Sequence, residues 1–180
     1  MSSSEPPRES NAAAPVAGAS RPNEPAPVLP TGIEAGLVAG TVVAVAYLIR
    51  DVAIGVPLNT PSVLGTFLLE GAEAAKDVQS ALGHAIAYHT VHFVLWLIAG
   101  GVAGWMMNRI EESARLWFVP WVAVGLLMAA IVAIDGWTAA AGLPRFHLWL
   151  GAIAGILSMV AFFQWRHPHA MALVRGFGRA

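Results

Sequence analysis

The chain of 180 residues is 57% hydrophobic and 12% charged, with ten basic against eleven acidic residues, a net charge of −1 and no cysteine. An ordinary soluble domain has about 45–50% apolar and about 25% charged residues, so this composition points away from a soluble enzyme. The charge balance gives no basic excess to hold nucleic acid, and without a thiol there is no disulfide, cysteine-ligated zinc, iron–sulfur cluster or thiol nucleophile.

Residues 1–30 contain seven of the twelve prolines, many alanines and serines, and no aromatic residue. Such a segment buries too little apolar surface to offset the entropy of ordering, so it is expected to be a disordered tail. It does not read as a signal peptide, because its start, MSSSEPPRES, has no basic region leading into an apolar run. Four long apolar stretches follow, near Ile33–Ile54, Leu82–Met107, Trp117–Trp137 and Phe146–Trp165. Each reaches the about 20 residues that carry a helix across the ~30 Å hydrocarbon layer. The last two have almost no polar face of the kind a soluble helix turns to water.

The connections differ in kind. In the long first loop, about Gly55–Ala81, Thr60-Pro61 reads as an N-cap followed by proline at the first helical position. Ser62–Glu70 then places Val63, Leu64, Phe67 and Leu68 on one helical face, which predicts a short helix lying in the outer interface. Asn108–Arg115 is a short charged connection, and Ala139–Arg145 carries Gly142 and Pro144 to stop one helix and start the next.

Tryptophan and arginine add sidedness. Trp105, Trp117, Trp121 and Trp165 fall at one set of span ends and Trp137 and Trp149 at the other, with Trp96 in mid-span, as expected of residues that favour the membrane–water interface. With four spans, the N-tail, the second loop and the C-tail share a side. Near the spans that side carries Arg109, Arg115, Arg166, Arg175 and Arg179, against Arg50, Lys76 and Arg145 on the other. This bias predicts both termini in the cytoplasm.

The run Asp51-x3-Gly55-x-Pro57-Leu58-x-Thr60-Pro61-x2-Leu64-Gly65 follows the first span, and Tyr88-His89-Thr90-Val91-His92-Phe93 opens the second. Over about residues 33–107 this layout resembles small uncharacterised bacterial integral membrane proteins with four spans. The resemblance implies a fold and carries neither activity nor ligand.

Two constellations stand out. The pairs Gly36 and Gly40, Gly100 and Gly104, and Gly151 and Gly155 place small residues four apart in the first, second and fourth spans. In lipid such faces let backbones approach closely, either within one bundle or towards a partner. The second constellation is polar. His84, Tyr88 and His92 recur at four-residue spacing, with His89 beside them. The topology places them in the same half of the bundle as Arg50, Asp51, Asp135 and His147, with Arg145 at the rim. Three readings stay open for this group: a hydrogen-bonded polar network, a transition-metal or proton site using His84, His89, His92, Asp51, Asp135 and His147, or a haem b site whose second axial histidine comes from another copy. Glu34 opens the first span, where a carboxylate suits a helix N-terminus. His167-Pro168-His169 follows the last span, either as a loose metal site or, with Arg166, Arg175 and Arg179, near anionic lipid heads. No P-loop, dinucleotide fingerprint, nucleophile elbow or zincin motif is present.

The sequence therefore predicts an all-α integral membrane four-helix bundle with a short interfacial helix in the first outer loop. Residues 1–30 form the tail, 31–166 the four-span domain and 167–180 a short basic tail. The expected setting is a bacterial cytoplasmic (inner) membrane. The expected role is non-catalytic, as an accessory subunit or a self-associating bundle, with the lipid bilayer, itself or another membrane subunit as partners and no nucleic acid. The alternative is a metal- or haem-binding redox or transport protein.

Overall fold

A computed structural model describes residues 28–78 and 81–176; most of the tail expected to be disordered, residues 1–27, lies outside the described residues. All regular elements among the described residues are helices. They are α1 (Val28–Ala53), α2 (Asn59–Glu70), α3 (Ala72–Lys76), α4 (Leu82–Glu112), α5 (Val119–Ala140), α6 (Leu148–Arg166) and α7 (Pro168–Arg175), with a short 3₁₀ turn at Ala114–Leu116. Four segments are long and apolar enough to cross a membrane: Pro30–Ala53, Leu82–Glu112, Val119–Ala140 and Leu148–Arg166.

Several boundaries shift from those expected. α4 has 31 residues and so runs about 46 Å at 1.5 Å per residue. The charged Asn108–Glu112 segment continues this helix, with Arg109 paired to Glu112 across one turn, and the reversal falls at residues 113–118. α6 begins at Leu148; Phe146, expected to open that span, is buried in the loop before it. α1 and α5 end alike. Gly55 and Gly142 adopt positive φ. Val56 and Leu143 N–H groups then reach back to the Asp51 and Thr138 carbonyls, closing the last turn as in a Schellman motif.

The helices pack in the order α4, α1, α6, α5, with α2 across the upper end of α4 and α7 beneath α4 and α6. α1 owes its central place to a buried row at four-residue spacing: Thr31, Ala35, Ala39, Val43, Tyr47 and Asp51. Small residues make the α1–α4 crossing close. A Cβ on Gly36 would collide with the Trp96 carbonyl, one on Gly100 with the Gly32 carbonyl, and one on Gly32 would lie 2.5 Å from the Gly100 carbonyl and 3.0 Å from the Gly104 Cα. Gly40 accommodates the Phe93 ring and the Trp96 Cβ. On α6, Gly151 receives the Tyr47 hydroxyl and Gly155 the Trp96 ring. The six glycines singled out in the sequence thus lie within the chain's own helix crossings. Gly32, which extends the same four-residue spacing one step before Gly36, and Gly65, which lies outside it, pack as closely as the rest. Trp96, the tryptophan away from the span ends, is the buried one that ties α1, α4 and α6 together.

Two short helices seat more deeply than their sequence suggests. α2 begins at Asn59, and Thr60 through Thr66 are all buried. A Cβ on Gly65 would collide with the His84 carbonyl of α4. α2 is therefore held by contact around most of one end, with Phe67 only partly covered and Leu68 exposed. Of the segment 167–180 expected as a basic tail, Pro168–Arg175 form α7, whose Met171 and Val174 enter the main core, and residues 177–180 lie outside the described residues. Above it, Arg166 pairs with Glu34 at 3.3 Å. α5 is the exception to close packing: Thr138 is its one buried residue, and it touches α6 while barely reaching α4.

Candidate polar site in the upper half of the bundle

The site begins at the top of α1. The Asp51 side chain is fully buried. Its carboxylate accepts hydrogen bonds from the Thr60 backbone N–H and the Thr60 hydroxyl, both at 2.6 Å, and from the Arg50 guanidinium at 3.2 Å. Arg50 also donates to Thr60 Oγ1 at 3.0 Å and lies 5.8 Å from the Phe146 ring centroid. The sequence assigned the α2 cap to Thr60. The residue at the N-cap is Leu58, in a left-handed conformation with no side-chain bond to the helix. Asp51 takes over the task from α1, placing a negative charge where the first turn of α2 offers free N–H groups. Its oxygens are already engaged by three donors.

Below this knot, His92 and Tyr88 face α1 and the bundle interior. His92 is buried and its Nε2–H donates to the Gly40 carbonyl at 3.0 Å, a bond between helices. Nδ1 is then its remaining hydrogen-bonding atom. Tyr88 stacks on His92 with ring centroids 5.6 Å apart, and His89 lies 6.3 Å from His92. His89 Nδ1–H donates to the Ala85 carbonyl one turn back, at 2.8 Å.

The other members of the expected group go elsewhere. His84 turns to α2 and meets Glu70 at 2.7 Å on the surface. Asp135 Oδ1 accepts from the Leu148 N–H at 3.4 Å, at the start of α6. His147 is exposed in a left-handed conformation at the α6 N-cap, and Arg145 is exposed in the loop before it. Among the described residues, no three His, Asp or Glu side chains form a group that could hold a metal ion. The set His84, His89, His92, Asp51, Asp135 and His147 is therefore not one ligand sphere here. For haem, His84, His89 and His92 share one helix, and His147 and His167 lie at opposite ends of α6. The described histidines thus offer no facing axial pair within one chain.

The structure instead brings together Asp51, His89, His92, Tyr88 and a residue absent from the expected group, Tyr47. They line a cavity of about 140 Å³ between α1, α2 and α4. Tyr47, Tyr88 and His92 also line a second, half-open cavity of about 450 Å³ between α1, α2, α4, α5 and α6. Three polar side chains are thus shared by two mostly apolar spaces, the smaller of which also reaches Asp51 and His89. Tyr47 was legible in principle, since it precedes Asp51 by four residues on the face that begins at Thr31.

Comparison of the chain with known protein families, with curated proteins and with solved structures finds no match.

Proposed function

We propose that this chain is a non-catalytic integral protein of the bacterial cytoplasmic membrane, spanning it four times with both termini inside, and that it serves as an accessory subunit or self-associating bundle. The observation that carries this reading is the unequal packing of the four long helices. α1, α4 and α6 are close-packed through glycine, whereas α5 leaves nearly its whole apolar length uncovered by the chain. Water would not tolerate that surface, but lipid or a second membrane helix would cover it. The chemistry of the upper half is consistent with a structural role: Asp51 holds α2, and His92 links α4 to α1. The test is native mass spectrometry of the protein extracted with its surrounding lipid. A particle containing a second copy, or another chain in fixed ratio, is the expected result. A particle holding one copy and lipid alone would overturn the subunit reading.

The metal or haem reading keeps one supporting observation, that His89 and His92 lie 6.3 Å apart beside the same cavity. Two histidines supply part of a coordination sphere, and the rest would have to come from another copy.

A further inference from the structure

The larger cavity combines features that select a ligand. Its volume of about 450 Å³ falls within the roughly 300–1,000 Å³ of small-molecule sites. It lies inside the ring of long helices, and the ring is weakest between α4 and α5, where the two barely touch. Leu95 of α4 and Leu127 of α5 line it from either side of that gap, and both are exposed on the bundle surface. A molecule dissolved in the bilayer could enter there sideways.

The wall then defines the head. Tyr47 is 8% exposed, yet its hydroxyl makes no hydrogen bond among the described residues; the same holds for the Tyr88 hydroxyl, and His92 retains Nδ1. A purely hydrocarbon occupant would leave these groups unpaired in a dry site, which is unfavourable. No Lys, Arg, Asp or Glu lines the cavity, so a phosphate or carboxylate head would lack a counter-charge. Two phenol donors and one imidazole acceptor suit a neutral head that both accepts and donates. Phe67, Trp96 and Trp137 add aromatic faces to the wall, which favours a flat ring.

We propose that this cavity binds a neutral, lipid-borne quinone or quinol, with Tyr47, Tyr88 and His92 holding its ring oxygens and the α4–α5 gap admitting it from the bilayer. The proposal goes beyond the subunit reading and requires only that the helices lie in a membrane, which cysteine labelling tests separately.

The experiment uses the full chain in lipid nanodiscs, titrated with decylubiquinone and with its quinol. Binding is read from tryptophan fluorescence, since Trp96 and Trp137 line the cavity, and from the melting temperature. Saturable quenching with a rise in melting temperature is expected. Tyr47→Phe and Tyr88→Phe remove one hydroxyl each and keep the ring; each should weaken binding about five- to tenfold, the scale of one neutral hydrogen bond. Ala130→Phe, which fills the cavity from α5, should abolish saturable binding with both tyrosines intact. Non-saturating quenching, equal affinity in both tyrosine variants and the parent, or equal competition by decanol would each overturn the proposal. Should one tyrosine variant fail to fold, the other and Ala130→Phe decide it.

Discussion

Among the described residues, Asp51 is the one buried carboxylate, and its surroundings explain how a charge is tolerated there. It accepts from two groups of Thr60 and from Arg50, whose side chain remains about a third exposed. A buried charge so bonded adds little net stability over an apolar pair, but removing one partner strands the other. Asp51→Asn converts one acceptor oxygen into a donor facing donors. It should lower the unfolding free energy in detergent by about 1.5–3 kcal/mol, the range for hydrogen bonds to charged groups. Thr60→Val leaves the backbone bond in place and should cost about 1 kcal/mol. The two changes share a bond, so the double variant should lose less than the sum. Denaturation followed by circular dichroism checks this, and strict additivity would mean that the observed contact does not couple them.

The same glycine spacing serves different ends along the four long helices. Gly36 and Gly100 sit where a Cβ would strike the backbone of the opposite helix, whereas Gly125 and Gly136 of α5 have nothing within 4 Å of an added Cβ. Gly36→Ala or Gly100→Ala should force α1 and α4 apart and cost about 1–3 kcal/mol, the usual range for overpacking. Gly125→Ala and Gly136→Ala should be neutral or stabilising by up to about 1 kcal/mol, because alanine favours helix. Thermal unfolding in detergent separates the pairs; equal losses at all four positions would contradict the packing. This contrast also marks how far sequence carries. The four long helices were legible because length and apolarity alone define them, and Gly142 with Pro144 marked a turn by local chemistry. The seating of α2 and α7 was not legible: the burial of Thr60 through Thr66 depends on Asp51 and on the close approach of Gly65 to α4, and that of Met171 on the lower ends of α4 and α6. In the site, the i, i+4 row put Tyr88 and His92 together, as the helical period requires. It could not show that His84 would turn to Glu70, because that partner comes from a helix whose position the sequence did not fix.

Across the whole molecule, polarity and aromatic side chains sort by height. Trp105, Trp121 and Trp165 are exposed at the end that carries α7, and Trp137 and Trp149 are exposed at the end that carries α2 and α3. Between these belts the exterior of α1, α4, α5 and α6 is dominated by leucine, isoleucine and valine. Among the described residues, Arg109, Arg115, Arg166 and Arg175 near the α7 end face two arginines and a lysine at the other, and the rule that relates such a bias to topology counts basic residues in short loops rather than net charge. Arg50 counts weakly in that comparison, since it is bound to Asp51 and Thr60. This bias supports the proposed orientation with α7 on the cytoplasmic side. Because the chain has no cysteine, single cysteines report cleanly. A cysteine at Ala74 in α3 should react with a membrane-impermeant thiol reagent in intact cells. Cysteines at Ser113, between α4 and α5, and at Ser4 or Gly178 should react only after the membrane is opened. The reverse pattern would invert the topology, and labelling of both Ala74 and Ser113 positions in intact cells would mean that α4 does not cross the bilayer.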